Sequence, residues 1–105
     1  MSVLSRIEEY INDHEIVLFM KGTVEFPQCG FSGKVVRVLK LLDVDFFAVN
    51  VLEDDEIREG VKVFSNWPTI PQLYIHGELV GGCDIVLDLY ENGELAKLID
   101  KVEVD

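Results

Sequence analysis

Apolar positions recur along the chain in two patterns, one at helical spacing and one continuous. Residues 2–13 carry four apolar side chains at helical spacing, which predicts an amphipathic helix with one buried face. These four residues are Val3, Leu4, Ile7 and Ile11. Residues 16–20 are apolar without interruption, as is typical of a buried central strand. The chain is therefore predicted to begin with a helix and a central strand.

The same two patterns alternate after this strand. They predict helices over residues 30–42 and 54–65, separated by a strand over 46–51. Asp54 or Asp55 is the expected N-cap of the helix over 54–65, because a carboxylate there accepts hydrogen bonds from free backbone N–H groups. The residues expected to face inward from the two helices are Val35, Val38, Leu39, Leu42, Ile57, Val61 and Phe64.

The last third of the chain predicts a hairpin and two short helices. The segments QLYI and ELVG flank His76-Gly77, which is a turn signal. A helix over 83–92 is expected to stop at Asn92-Gly93, and the last helix contains Leu95, Leu98 and Ile99. The order α-β-α-β-α-β-β-α-α predicts an α/β fold, a four-stranded mixed sheet flanked by helices. Its right-handed crossover places the loop before the second helix at the carboxyl end of the first strand, where such sheets bind ligands.

Length, composition and charge limit the class of protein. The 105 residues, 49% of them hydrophobic, are expected to form a single domain over 1–105 with an ordinary core. The net charge of −11 argues against nucleic-acid binding, because it repels phosphate. The longest apolar run is too short for a membrane span. Without a disulfide framework or a signal peptide, we expect a reducing compartment: cytoplasm, or an organelle matrix after leader removal.

Cys29 is the main candidate for chemistry. It lies in the segment PQCGFSGK, between a predicted strand and a predicted helix. The N–H groups and the dipole at a helix start favour a thiolate, and Lys21 adds positive charge. The alternative is a small buried apolar residue. Because Ser32 stands where a C-x-x-C motif has its second cysteine, Cys29 needs an external thiol, a metal or Cys83 as its partner, while Ser32 can donate a hydrogen bond to the sulfur.

Two further segments and a group of cations suggest a binding site. In WPTIP, a cis bond between Ile70 and Pro71 would turn the Ile70 backbone outward, where it could pair with an extended peptide; the alternative is a plain loop. In GGCD, the N–H groups of the helix start can bind a carboxylate of the ligand, and Asp84 can bind its ammonium group. The alternative is that Asp84 caps the helix. A cluster of Lys21, Arg58 and Lys62 would suit a small acidic ligand; the alternative is solvated surface charge.

Three motifs in this order, KGTVEFPQCGFS, NWPTIPQ and GGCD, closely resemble the monothiol (CGFS-type) glutaredoxins over about residues 3–99. Val24 and Phe26 depart from the family, which often has Pro or an acidic or polar residue there. The resemblance implies a thioredoxin-like fold and a glutathione site. Its binding residues would be Lys21 beside the Cys29 sulfur, Arg58 and Lys62 at the glycyl carboxylate, Thr69 and Ile70 along the cysteinyl backbone, and Cys83 and Asp84 at the γ-glutamyl end.

The resemblance also implies a function. Cys29 from each of two protomers and two glutathione thiols would hold a [2Fe-2S] cluster in a homodimer, which passes the cluster to apo iron-sulfur proteins. A BolA-like protein is a possible hetero-partner by family analogy. Two alternatives remain open. One is a glutathione-dependent thiol-disulfide oxidoreductase with Cys29 as nucleophile, and the other is a redox sensor in which Cys29 and Cys83 form a disulfide.

Overall fold

The computed structural model describes residues 2–100 and contains every predicted element. The helices are α1 (Val3–Asp13), α2 (Gly30–Leu41), α3 (Asp55–Ser65), α4 (Cys83–Glu91) and α5 (Glu94–Asp100), and the strands are β1 (Ile16–Met20), β2 (Phe47–Asn50), β3 (Gln72–Ile75) and β4 (Glu78–Gly81). Residues 1 and 101–105 of the predicted domain lie outside the described residues. The predicted strand over 46–51 is one residue shorter at each end, because a 3-10 turn, Val51–Glu53, follows β2.

The four strands form one mixed sheet in the order β2-β1-β3-β4. The central strand β1 runs parallel to β2 and antiparallel to β3, and β3 pairs antiparallel with β4. All five side chains of β1 are buried. The sheet confirms the predicted four-stranded mixed architecture and explains the continuous apolar run at 16–20.

A hydrophobic layer covers each face of the sheet. Ile16, Leu18 and Met20 of β1 pack on the face covered by α2 and α4, and Val17 and Phe19 pack on the face covered by α1 and α3. Helices therefore flank the sheet on both sides, as predicted. This arrangement fixes the starts of α2 and α4 at the same end of the sheet as the carboxyl end of β1.

Two predicted core positions are wrong. Leu4 is 42% exposed and Phe64 is 37% exposed. α1 meets α3 through Val3 and Ile7, which lie against Gly60, and Leu4 is turned about 100° away from Val3 by the helical repeat. Phe64 lies in the last turn of α3, at the margin of the core, where its ring contacts Tyr74 at a centroid distance of 6.2 Å.

The predicted turn between β3 and β4 is confirmed. His76 and Gly77 both have positive φ angles, 52° and 83°, which is the backbone of a type I′ hairpin turn. The His76 ring is hydrogen-bonded to the Ile99 carbonyl at 3.1 Å, which ties α5 to the hairpin. Among residues 2–100, no helix has the length and apolar character needed to cross a membrane.

Asp54 is the N-cap of α3. Its Oδ1 accepts hydrogen bonds from the N–H groups of Glu56 and Ile57, at 3.1 and 3.3 Å. Its Oδ2 accepts one from the Arg6 guanidinium of α1 at 2.9 Å. Arg6, together with these backbone donors, holds the pKa of Asp54 below its ordinary value of 3.8. The cap fixes the start of the helix that carries Arg58.

We predict that Asp54→Ala lowers the urea midpoint of unfolding at pH 7, because α3 loses both capping hydrogen bonds and the contact to α1. The folded pKa is depressed, so the carboxylate stabilises the protein above its ordinary pKa of 3.8 and ceases to do so as the pH falls through the folded value. The difference between the urea midpoints of the wild type and Asp54→Ala should therefore become smaller in acid. Asp55→Ala, at an exposed neighbour without a capping bond, is the control; an equal effect there would contradict the assignment.

Candidate functional site

The loop before α2 folds back on itself and returns the chain to the end of β1. The Gln28 N–H donates to the Lys21 carbonyl at 2.8 Å, and the Thr23 N–H donates to the Phe26 carbonyl at 3.2 Å. Gly22 has a φ of 97°, and a Cβ there would lie 2.4 Å from the Gln28 nitrogen, so only glycine fits. The loop thus places Cys29 beside the end of β1, as the N-cap residue of α2.

Ser32 connects the thiol to the end of β1. Its side chain is fully buried, and its Oγ accepts a hydrogen bond from the Lys21 N–H at 3.1 Å. Because the oxygen accepts from Lys21, its own proton is available to the Cys29 sulfur. Ser32 therefore replaces a second cysteine with a hydrogen-bond donor, as the sequence predicted.

The surroundings of Cys29 favour its thiolate. Partial burial by itself raises the pKa of Cys29, but the backbone N–H groups of Ser32 and Phe31, the Ser32 hydroxyl and the charge of Lys21 outweigh it and lower the pKa below 9.0. The expected contributions of the helix start and of Lys21 are both present. Cys29 is partly exposed and free, which contradicts the alternative of an inert core cysteine.

All eight predicted site residues line one cleft of about 500 Å³: Lys21, Cys29, Arg58, Lys62, Thr69, Ile70, Cys83 and Asp84. The loop before α2, the middle of α3, the segment before β3 and the start of α4 each contribute to it. The three cations expected at a common cleft do meet there, although Lys62 is also paired with Glu59 at 3.2 Å. Arg58 forms no ion pair with any other residue of 2–100.

The segment before β3 presents backbone to the cleft. The Ile70–Pro71 bond is cis, as the sequence suggested. The Gln72 side-chain amide is buried and donates to the carbonyls of Trp67 and Thr69, at 3.0 and 3.2 Å, which holds the loop in place. The hydrogen bonds within residues 2–100 leave the Ile70 backbone unused. This backbone can therefore pair with an extended ligand chain.

The start of α4 forms the far wall of the cleft. Gly82 is its N-cap, and no side chain caps the helix, so the structure does not support the alternative of Asp84 as the cap. Cys83 is only 8% exposed. Burial, with the charges of Asp84 and Cys29, raises the pKa of Cys83 against the opposing effect of Lys34. The cleft thus holds two free thiols whose pKa values are shifted in opposite directions, and a disulfide between them stays a prediction.

Several cleft residues were missed by the sequence analysis as site residues. Phe31 and Ile85 line the cleft and are both exposed. Trp67 also lines it, and its indole Nε1 is buried without a hydrogen-bond partner in residues 2–100. Phe31 follows Cys29 by two positions, and an aromatic residue so close to a reactive cysteine at a helix start could have indicated that Phe31 lines the site. Ile85 enters through tertiary packing alone, whereas Trp67 begins the WPTIP segment that the sequence had indicated as a binding segment.

The potential metal-ligating side chains of residues 2–100 are dispersed. Within residues 2–100, no three side chains of His, Cys, Asp or Glu are grouped closely enough to hold a metal ion. Cys29 is the thiol whose pKa is lowered, whereas Cys83 is buried.

Known proteins match this chain over most of its length. The glutaredoxin family model matches residues 16–80. The chain is 59% identical to a probable monothiol glutaredoxin 2 of Rickettsia typhi over 96 aligned residues. The alignment covers 91% of this chain and 86% of that protein. The chain belongs to the monothiol glutaredoxins.

Solved glutaredoxin structures confirm the predicted thioredoxin-like fold. The reduced apo GrxS14 of poplar is 48% identical and superposes with a TM-score of 0.84, covering 96% of this chain and 93% of that one. A buckwheat glutaredoxin, solved as a complex with glutathione, has the same TM-score of 0.84 at 22% identity and covers 94% of this chain and 88% of that one. At that identity, the likeness establishes the shared fold.

We predict that Ser32→Ala raises the pKa of Cys29, because the thiolate loses the hydroxyl donor and the loop loses the hydrogen bond from the Lys21 N–H that holds Cys29 in place. Alkylation by iodoacetamide at pH 7 should slow, and its pH profile should move to higher pH. Lys21→Gln should shift the profile in the same direction but less, since the hydroxyl contributes more than the lysine charge. A Cys83→Ser background leaves only Cys29 to react, and Ser5→Ala is the matched exposed control. An unchanged profile in Ser32→Ala would contradict the role of the hydroxyl.

Proposed function

We propose that this glutaredoxin is a glutathione-dependent carrier of [2Fe-2S] clusters, which it delivers to apo iron-sulfur proteins in their maturation and in redox homeostasis. The observation that carries the proposal is the activated thiol of Cys29, which opens onto a cleft where residues 2–100 form no metal site of their own. Cys29 opens onto the cleft with a lowered pKa, yet residues 2–100 gather no set of three metal ligands. A cluster held here depends on co-ligands, so it is cargo that can leave.

Glutathione fits the distribution of charge in the cleft. Arg58 and Lys62 offer cations for its glycyl carboxylate, and the uncapped start of α4 offers N–H groups for its γ-glutamyl carboxylate. Asp84 suits the ammonium group. The backbone of Ile70, beside Thr69, makes no hydrogen bond within residues 2–100 and would suit the cysteinyl unit. The buckwheat protein of the same fold was solved with glutathione, which supports this choice of ligand.

The proposed holo form is a homodimer. Iron-sulfur clusters of this type take four sulfur ligands, and Cys29 is the ready thiolate of each chain. Two Cys29 thiolates and two glutathione thiols would complete the set, with Lys21 beside each sulfur. A BolA-like protein in place of one protomer is a second assembly within the same proposal. Both assemblies require a reducing compartment, cytoplasm or organelle matrix.

Thiol-disulfide exchange is the second candidate function, and the lowered pKa of Cys29 favours it. The Cys29 thiolate would attack the glutathione sulfur of a glutathionylated protein, forming a Cys29–glutathione disulfide and releasing the protein thiolate. Glutathione thiolate would then attack that disulfide, forming oxidised glutathione and restoring Cys29. We expect at most weak turnover of this kind.

Anaerobic reconstitution with iron, sulfide and glutathione tests the carrier function. We predict a coloured dimer that needs both glutathione and Cys29, measured by visible absorption and size-exclusion chromatography. Cys29→Ser should stay colourless. Cys83→Ser should keep the colour, because the start of α4 offers glutathione its backbone N–H groups and not the buried Cys83 thiol. A colourless wild-type monomer would remove the carrier function and leave thiol exchange, which turnover of a glutathionylated peptide would then measure.

Glutathione binding should depend unequally on the two α3 cations. We predict that Arg58→Gln weakens glutathione binding to the apo protein about 10-fold, the equivalent of one charge-assisted hydrogen bond. Lys62→Gln should have a smaller effect, because Lys62 already pairs with Glu59. Isothermal titration measures both, with Lys97→Gln on α5 as the control. Equal losses in Arg58→Gln and Lys97→Gln would show that the cleft assignment is wrong.

A further inference from the structure

The exposed side of α2 concentrates positive charge in a strongly acidic protein. Lys34, Arg37 and Lys40, spaced three residues apart, are all exposed. They are three of only nine basic residues in a chain with twenty acidic ones and a net charge of −11, and α2 itself contains no acidic residue. We refer to these three side chains as the basic face of α2.

Within residues 2–100, no ion pair neutralises the basic face. The ion pairs among residues 2–100 involve six other residues: Arg6 with Asp54, Lys62 with Glu59, and Lys97 with Glu94. Lys34 lies 5.9 Å from the centre of the Phe31 ring, a contact that leaves its charge facing solvent. The three cations are therefore free to pair with groups outside the chain.

Exposed apolar side chains lie at both ends of the basic face. Phe31 is 57% exposed in the first turn of α2, and Leu41 is 63% exposed at its end. Aromatic residues and arginine are enriched where proteins meet, whereas a site for a small anion needs only charge. The combination of charge with exposed apolar surface favours a protein as the occupant.

We infer that the basic face of α2 docks an acidic surface of the protein that exchanges the cluster with Cys29. Cys29 immediately precedes α2, and the helical rise of about 1.5 Å per residue places Lys34, Arg37 and Lys40 about 8, 12 and 17 Å along the axis from it. A partner aligned on α2 would carry acidic side chains at similar distances from its acceptor cysteines. The inference rests on the proposed function for the nature of the cargo.

Charge also argues against other occupants of the basic face. Without these three cations, the rest of the chain has six basic and twenty acidic residues. A nucleic acid or an anionic membrane extends well past one helix and would meet this acidic surface. A protein can place a local acidic patch against the basic face while the rest of its surface stays away from the acidic part of this chain.

The sign of the salt dependence tests the inference. The probe is a plant-type [2Fe-2S] ferredoxin in its apo form, which has four cysteine ligands, chosen so that its sequence carries a net negative charge. Its association rate constant with the apo chain is measured between about 25 and about 300 mM NaCl, over which screening increases strongly. Docking on the basic face predicts a rate that falls as salt rises. A rate that rises with salt, as repulsion between two acidic proteins requires, would overturn the inference.

A matched pair of variants locates the effect. Arg37→Gln/Lys40→Gln should lower the association rate at low salt about 5- to 10-fold. Lys97→Glu, on α5, changes the net charge by the same amount and should leave the rate within about 2-fold. If Arg37→Gln/Lys40→Gln and Lys97→Glu lowered the association rate equally, the cause would be the net charge of the protein, and the inference would be overturned. Circular dichroism and urea midpoints would verify that both variants fold.

Two further outcomes are informative. Self-association of the free chain that Arg37→Gln/Lys40→Gln abolishes would mean that a second copy covers the basic face, which overturns docking of an acidic partner. Because the binding assay uses apo proteins, it is independent of cluster loading. A chain that binds the probe through the basic face but forms no coloured dimer would support the docking surface and refute the proposed carrier function.

Discussion

The hydrogen bond from the Lys21 N–H to the Ser32 Oγ joins the end of β1 to the first turn of α2, and the geometry of the site depends on it. The intervening loop is closed by the Gln28–Lys21 hydrogen bond and by the tight turn at Gly22, which no side chain could occupy. The Asn50 side chain adds a further tie, since its Oδ1 accepts from the Gly22 N–H at 2.9 Å. Together these contacts hold Cys29 at the helix start.

One consequence is that two cysteines in the same cleft have different chemistry. Cys29 lies among donors and has a lowered pKa, while Cys83 is buried at the start of α4 and has a raised pKa. The cations on α3 and the unpaired backbone of Ile70 line the same cleft. The cleft therefore combines one reactive sulfur with cations and backbone groups that a thiol-containing peptide ligand can bind.

Most of the fold and much of the site follow from local sequence signals. The apolar run at 16–20, the Asp54 cap and the His76-Gly77 turn each have a chemical cause within a few residues of the chain, and the structure contains all three. Cys29 was recognisable for the same reason, because it stands between a strand and a helix.

The features that were missed depend on contacts between distant segments. Leu4 fits the helical pattern but faces solvent, because the close approach of α1 to Gly60 decides which side of α1 is covered. Asn50 acts on Gly22, 28 residues away, and Ile85 joins the cleft because α4 packs beside the segment before β3. No periodicity or motif spacing records such contacts, so tertiary packing was needed to reveal them.

The central claim is that this cleft activates Cys29 and not Cys83. The most direct test is a pH titration of both residues in the apo protein, labelled with ¹³C at cysteine Cβ and followed by NMR, since the Cβ shift reports thiolate formation. We predict that Cys29 titrates below 9.0 and Cys83 above it. Titration of both at the same pH, or of Cys83 first, would contradict the claim.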